Sequence, residues 1–503
     1  MSADIEKLAV FDSRIVQTRP KYAVYKGALS LTNAPFNAIS ATPSQHTYNI
    51  YVPSENVFVE RGVEWSSTVF LNFNVLLQSV PVLGESVVVA GRDWSLCAFP
   101  LNSLCSTLTA TINDTTTVIN SNDVLKEVLR LTDYKKNRLQ RTCPTKLDTY
   151  QNYNDGFGSV NNPLAGYEYA SEAAEMPNGA FYNVRYTSPS GAVLGTASPA
   201  YAGALYDAVN GQPVANAQTV AAQAAGTAIP IYVQFTSTEK LVLSPFVFAE
   251  CHEWDTGLFG INNIQLIMNL QAPSRLIRNC QGAGRVIPLS SVLYNPGVQS
   301  PFINSVCNVQ FLTPSLDVPL PPKSVVPYME FPRYITQYQN GTIAPGQTGQ
   351  IISQTITLPQ IPDLFIIYAK PSASCSGVDG AGAPLSYPQS YDADWRFPVA
   401  TRYDNVANPL TVNFDNFSGL LSSVTAEQLY AMSIRNGLDM DYNSWVGAAH
   451  SSKAFPPAGA SVGTSGGSLA TCGSILVLKP SQDITLQTGQ APSLNYGGCI
   501  AVC

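Results

Sequence analysis

The sequence predicts an all-β protein built as two β-domains in tandem, and three observations carry that prediction. Short runs rich in aromatic and β-branched residues alternate apolar with polar, the period-two signature of strands with one face on a core. Thirty-six Pro and 35 Gly interrupt these runs, which favours many short elements joined by turns. The chain has 503 residues, and single cores stop growing near ~250–300 residues, so two domains are expected.

Residues 1–40 show little periodicity and read as an N-terminal arm. Strand patterning starts at His46-Thr-Tyr-Asn-Ile-Tyr-Val52 and breaks at Pro53-Ser-Glu55. Asn56–Val59 and Ser67–Val75 follow. Residues 150–228 are rich in Ala, Gly, Asn, Tyr and Pro and nearly free of Lys and Arg. Connections beyond ~12–15 residues are uncommon, so this stretch reads as a large loop insertion standing out from the first domain. Smaller insertions of the same flavour lie near Ser372–Ser390 and Gly447–Gly473. Strands resume at Ile229–Phe235 and Ile264–Leu270, then restart after the Pro/Gly-rich stretch Pro288–Pro301. Val306–Phe311, Gln354–Leu358, Leu364–Ala369 and Ser474–Leu478 follow. The expected organisation is an arm over 1–40, a first β-domain over 41–285 and a second over 286–503.

One helix is expected in each half. Thr425-Ala-Glu-Gln428 spells a capping box, predicting a helix to about Asn436 that Gly437 ends. Asn122 is the expected cap of a helix from Asp123 to about Thr132, with Val124, Leu125, Val128 and Leu131 on one face. Upstream of each lies a similar strand-and-turn, Leu108–Asp114 and Leu410–Asn416, which reads as a faint internal repeat.

Charged residues make up only 12% of the chain, about half the usual ~25%. Such a surface is covered by uncharged polar side chains or buried against neighbours. With a net charge of −7 and no basic stripe, strong direct nucleic-acid binding is not expected. The arm is mildly basic (Lys7, Arg14, Arg19, Lys21, Lys26), diluted by Asp4, Glu6 and Asp12. The segment Lys126–Lys146 holds Arg130, Lys135, Lys136, Arg138 and Arg141, and reads as a solvated helix end and loop. No signal peptide is expected from Met1-Ser-Ala-Asp-Ile-Glu-Lys7, and no apolar run approaches the ~20 residues of a membrane span. Ten Cys without a CxxC pair indicate neither zinc nor disulfides, but buried thiols in a protein made in the cytosol; Cys499 and Cys503 are left open.

Catalytic spellings exist but lack context. Cys251-His-Glu253 offers ligand types without the four converging ligands that zinc needs. Asp392 with Asp394, and Asp439 with Asp441, are carboxylate pairs of the kind glycoside hydrolysis uses, yet both sit beside Tyr and turn signals. Gly463-Thr-Ser-Gly-Gly467 spells a nucleophile elbow inside a Gly/Ser-rich loop, without the strand and helix that motif requires. The other two His are His46 and His450. Trp65, Trp94, Trp254, Trp395 and Trp445 read as core or interface side chains before a carbohydrate platform. Asn113, Asn340 and Asn416 open glycosylation triplets that matter only in a secreted chain. No catalytic, cofactor-binding or metal-binding residue is assigned, and no cofactor.

Several stretches resemble the double jelly-roll major capsid proteins of small DNA viruses, above all polinton-like viruses, with virophage and adintovirus-type proteins as relatives. They are Tyr48-Asn-Ile-Tyr-Val-Pro-Ser-Glu55, Leu243-Ser-Pro-Phe246, Gly257-Leu-Phe-Gly-Ile-Asn-Asn263, Val309-Gln-Phe-Leu-Thr-Pro314, Leu358-Pro-Gln-Ile-Pro-Asp-Leu-Phe-Ile-Ile-Tyr368, Asp415-Asn-Phe-Ser-Gly-Leu-Leu421 and Asn436-Gly-Leu-Asp-Met-Asp-Tyr442. The resemblance implies two tandem jelly rolls, a short helix in each, with Val309–Pro314 opening the second. It implies a homotrimeric, pseudo-hexagonal capsomer that tiles an icosahedral shell and catalyses nothing. The implied partners are other copies, neighbouring capsomers, and penton and minor capsid proteins. The residues flanking the two helices and the loop 150–228 are the expected trimer contacts, and the implied location is the virion, after synthesis in the host cytoplasm. Two other readings stand beside it: a β-sandwich receptor- or carbohydrate-binding protein, and a β-sandwich glycoside hydrolase.

Overall fold

The computed structural model describes residues 25–26, 30–54, 56–60, 62–77, 94–131, 142, 144, 179–193, 205–206, 213–214, 228–246, 256–279, 285–314, 328–336, 351–358, 361–369, 410–414, 417–446, 450–452, 467–469, 474–480, 482–484 and 499–502. The principal strands are β1 (Ser30–Asn37), β2 (Gln45–Tyr51), β3 (Phe58–Glu60), β4 (Glu64–Leu77), β5 (Cys105–Ile112), β6 (Thr115–Ile119), β7 (Phe181–Tyr186), β8 (Ala228–Lys240), β9 (Asn263–Leu270), β10 (Phe302–Thr313), β11 (Leu364–Ile367), β12 (Leu476–Leu478) and β13 (Cys499–Val502). The helices are α1 (Pro100–Leu104), α2 (Ser121–Val128), α3 (Ala426–Arg435) and α4 (Tyr442–Trp445).

The first half is a two-sheet sandwich. Its large sheet orders β3, β10, β4, β8 and β7, with β1 also paired to β10. Its small sheet runs Ser40–Ala41, β2, β9, β5, β6. Neighbours in both sheets are antiparallel and, apart from the β5–β6 hairpin and Ser40–Ala41 beside β2, distant in sequence, so the chain crosses repeatedly between the sheets. Alternation explains the core. Trp65, Val69, Leu71, Phe73 and Val75 of β4 face Tyr48 and Ile50 of β2 and Leu266 and Met268 of β9, all buried in one apolar cluster. In the second half β11 lies between β12, antiparallel, and β13, parallel.

Several expectations shift. Residues 30–37, read as the end of the arm, form β1 along the length of β10. Its Pro35 withholds an amide, which an edge strand tolerates. Residues 302–313, read as opening the second half, pair with β4 inside the first sandwich. Within the 150–228 insertion, β7 is an edge strand of the large sheet, with Phe181, Val184 and Tyr186 buried. Among the described residues Gln354–Leu358 joins no strand pair, and it is mostly exposed.

α3 forms as expected. Thr425 Oγ1 accepts from the Gln428 amide and Gln428 returns the contact to the Thr425 amide. At the other end the Leu438 amide reaches Ser433 O and the Gly437 amide reaches Ile434 O, a Schellman closure with Gly437 at φ +103°. α2 starts earlier than expected: Asn120 is its cap residue, and Asn122 lies within the helix, its Oδ1 taken by Arg275. Val124, Leu125 and Val128 face the core as expected, and Leu131 packs against it. The repeat has a structural counterpart. A hairpin, β5–β6, precedes α2, and a second hairpin, Val412–Phe414 with Phe417–Leu420, precedes α3.

Candidate functional site: the seam between the halves

A network of buried polar side chains runs from β8 and α1 to α2, which meets the second half. β8 carries its inward face through Ile231, Val233, Phe235 and Ser237 to Glu239, which is fully buried. Its carboxylate accepts from the amides of Leu101 (2.7 Å) and Asn102 (2.8 Å) in the first turn of α1. Asn102 Nδ2 (2.8 Å) and Ser237 Oγ (2.7 Å) complete the donor set. Burial pushes the Glu239 carboxyl up to about 7, against the pull of these donors. Acid–base enzymes use carboxyls in that range, but this one is sealed and spends its oxygens on a helix end. It is a structural anchor.

Arg275, also buried, extends the network. Its Nε donates to Ser103 O of α1 (2.6 Å) and its Nη1 to Asn122 of α2 and to Gln271. Next along α2, Asp123 forms an ion pair with Arg333, and its carbonyl accepts from the Tyr368 hydroxyl (2.6 Å). The Asp439 amide donates to Arg130 O (2.7 Å) and the Met329 amide to Ser244 Oγ (2.7 Å). Arg333, Tyr368, Asp439 and Met329 belong to the second half. A chain of polar contacts therefore runs from β8 through α1 and α2 into it.

Apolar packing follows the same line. Val124, Leu125, Val128 and Leu129 share one buried cluster with Leu429, Leu438, Met440, Trp445, Ile475, Leu476 and Val477. Trp445 Nε1 donates to Ile475 O (2.9 Å), and Ser474 Oγ to Trp445 O (2.8 Å). Asn436 Nδ2 ties the end of α3 to Val477 O (2.8 Å) and Asp483 (2.6 Å). At ~25 cal/mol per Å2 of apolar surface, a shared core of this kind holds the halves as one unit. Both helices serve this intrachain seam.

Arg130, read as part of a solvated basic segment, is buried here; the other basic residues of that segment lie outside the described residues or have no described side chain. Asp439 and Asp441 lie on the link from α3 to α4, where the Trp445 amide donates to Asp441 O (3.0 Å). Trp65, Trp94 and Trp445 are fully buried. Cys97, Cys105 and Cys307 are free and buried, and burial raises the Cys105 thiol to about 12. Asn113 bridges the β5–β6 turn to the segment leading into β9, donating to Gly260 O (2.9 Å) and accepting from the Asn262 amide (2.8 Å). Cys251–Glu253, Asp392, Asp394, Trp254, Trp395, Asn340, Asn416, Cys503 and Gly463–Gly466 lie outside the described residues, and the side chains of His450 and Cys499 are not described. Among the described residues no three His, Cys, Asp or Glu side chains converge as metal ligands, and no helix is long and apolar enough to cross a membrane.

The sequence reading missed Glu239, Arg275, Asp123, Arg333 and Tyr368. Glu239 alone left a signal, a carboxylate in the inward register of an apolar strand face.

Comparisons with known proteins agree with this architecture. The family model for the Sputnik virophage major capsid protein 1st domain matches residues 3–312, ending beside the last residue of β10. The model for the major capsid protein V20 C-terminal domain matches residues 331–497. The putative capsid protein V20 of Sputnik virophage is 24% identical over 430 residues, 85% of this chain and 62% of that protein, so the chain spans less than two thirds of that relative's length. The cryo-EM structure of the Sputnik virophage superposes with a TM-score of 0.63 at 22% identity, covering 98% of this chain and 84% of that one. The mavirus major capsid protein superposes at 0.56 with 15% identity, covering 98% and 87%. The fold is accordingly the double jelly roll. The 3–312 match alone takes in well over half of the residues, and on it this chain belongs to the Sputnik virophage major capsid protein family.

Proposed function

We propose that three copies of this chain form a pseudo-hexagonal capsomer, and that such capsomers tile an icosahedral shell. The role of the family is structural, in the capsid of the virion. The observation that carries the finer reading is the seam. It fixes two rolls side by side in one chain, so three chains supply six similar lobes around a threefold axis. A flexible tether between the rolls would give no fixed outline to tile. The division is best drawn as an arm, a first roll to Thr313 and a second roll beyond, because β10 pairs with β4.

Uncovered sandwich flanks are liabilities in a lone subunit and contacts in a shell, whereas the β1 edge is blunted by Pro35. Neighbouring capsomers, penton proteins and minor capsid proteins are the partners this geometry suits. With a net charge of −7, a strong grip on nucleic acid forms no part of it. Light scattering on the purified full chain tests the trimer. The expected mass is three times the 54.0 kDa chain, about 162 kDa. A monomer at every concentration, with or without minor capsid proteins, would overturn it.

A further inference from the structure

The two sheets of the first roll differ on their outer faces. On the large sheet the chain covers itself: Phe70 and Thr68 are buried there, and Val298 packs over Gly191 and Phe70. On the small sheet the outward side chains are half-buried or exposed. They form two rungs across the strands. One runs Asn49, Gln265, Thr111, Thr116, and the other Thr47, Ile267, Thr109, Val118. Tyr51 and Ile39 at the rim are each 64% exposed.

No Asp, Glu, Lys or Arg occurs in any of the five strands. The face is also prearranged. Thr111 and Thr116 hydroxyls are 3.0 Å apart, Gln45 Nε2 donates to Asn269 Oδ1 (3.1 Å), and Asn49, Tyr51, Asn263 and Gln265 frame a shallow groove.

Resting on the capsid reading, we propose that this outer face is an interface that receives a second copy of the same chain. A sheet face meant for water carries Lys and Glu, which also deter association. A face meant for lipid would not carry rows of Thr, Asn and Gln, and one meant for nucleic acid needs cations. What suits it is another flat surface equally poor in charge, and a chain with only 12% charged residues supplies one. Size agrees. Strands ~4.8 Å apart, rising ~3.3 Å per residue, give a face of roughly 20 by 25 Å, on the order of 500 Å2. With its rim, that is most of the ~800 Å2 one partner contributes to a standard interface.

The test uses the full chain in sedimentation velocity with hydroxyl-radical footprinting of Tyr51. Gln265→Lys and Ile267→Lys each place a charge in the middle of the face without touching the core. Both are expected to keep the wild-type circular dichroism spectrum. Each should weaken self-association on the order of 100-fold, since an unpaired charge would be trapped in the contact. Tyr51 should be protected in the wild-type assembly and oxidised in both variants. Thr32→Lys, on β1 of the other sheet, should leave assembly unchanged. Folded variants that assemble like wild type, with Tyr51 equally oxidised throughout, would overturn this interface while leaving self-association standing. Dissociation by Thr32→Lys to the same extent would overturn it as a mere charge effect. A wild-type chain that never self-associates would remove both this interface and the capsomer beneath it.

Discussion

Two buried titratable groups give the first roll opposing responses to acid. His46 points into the core from β2, fully buried, its ring edge-on to Phe302 (4.5 Å) and Trp65 (5.5 Å). Desolvation pulls it from 6.5 down to about 4. The folded state thus resists protonation: the contribution of neutral His46 is complete above pH 6.5 and is lost as pH falls toward 4. Glu239 behaves oppositely. Its folded value is raised from 4.5 to about 7, so its contribution is complete below pH 4.5 and is lost as pH rises through 7. At ~1.4 kcal/mol for each tenfold change, either group alone moves stability by about 2 kcal/mol between pH 4.5 and 6.5. Together they nearly cancel there. Urea unfolding of the wild type, His46→Leu and Glu239→Gln across that window separates them. Relative to wild type, His46→Leu should lose about 2 kcal/mol more at pH 6.5 than at pH 4.5, as the Glu239 slope is unmasked. Glu239→Gln should lose about 2 kcal/mol less at pH 6.5 than at pH 4.5, whatever its baseline loss. Parallel pH profiles for all three proteins would refute the reasoning.

Thr425→Ala removes the capping box of α3 and should cost about 1 kcal/mol, read from the urea midpoint at unchanged slope. Trp445→Ala empties the seam and should cost about 3–5 kcal/mol; hydrogen exchange should rise at Ile475–Val477 and not in β4. Gly297→Ala would set a Cβ 2.1 Å from the Pro189 carbonyl oxygen. The strap over the large sheet must then shift, and limited proteolysis near residues 189 and 297 should quicken as stability falls by about 1–3 kcal/mol.

Sequence patterning was informative wherever a strand has one buried and one wet face. β2, β8 and β9 alternate cleanly because each lies over the sandwich core with its other face open. It failed where that contrast is missing. β1 is exposed along most of its length, so Ser30–Asn37 shows no period although each of its residues lies opposite one of β10. β7 was hidden in an Ala- and Gly-rich stretch. Gln354–Leu358 alternates in sequence yet pairs with no strand among the described residues. The pairing of Phe302–Thr313 with β4 was illegible too, being a contact over more than 200 residues of chain. Helix ends were legible at α3, where Thr425 and Gln428 act locally. At α2 they were not, because Arg275, over 150 residues away, takes up Asn122. The seam was illegible for the same reason: Tyr368 meets Asp123 across a separation of 245 residues.

Cryo-electron microscopy of the purified chain, alone and with minor capsid proteins, tests the central claim most directly. Particles with six roll-sized lobes around a threefold axis are expected, each chain supplying two lobes held in one fixed relation. Single chains whose two lobes adopt variable relative orientations, or assemblies without threefold symmetry, would contradict it.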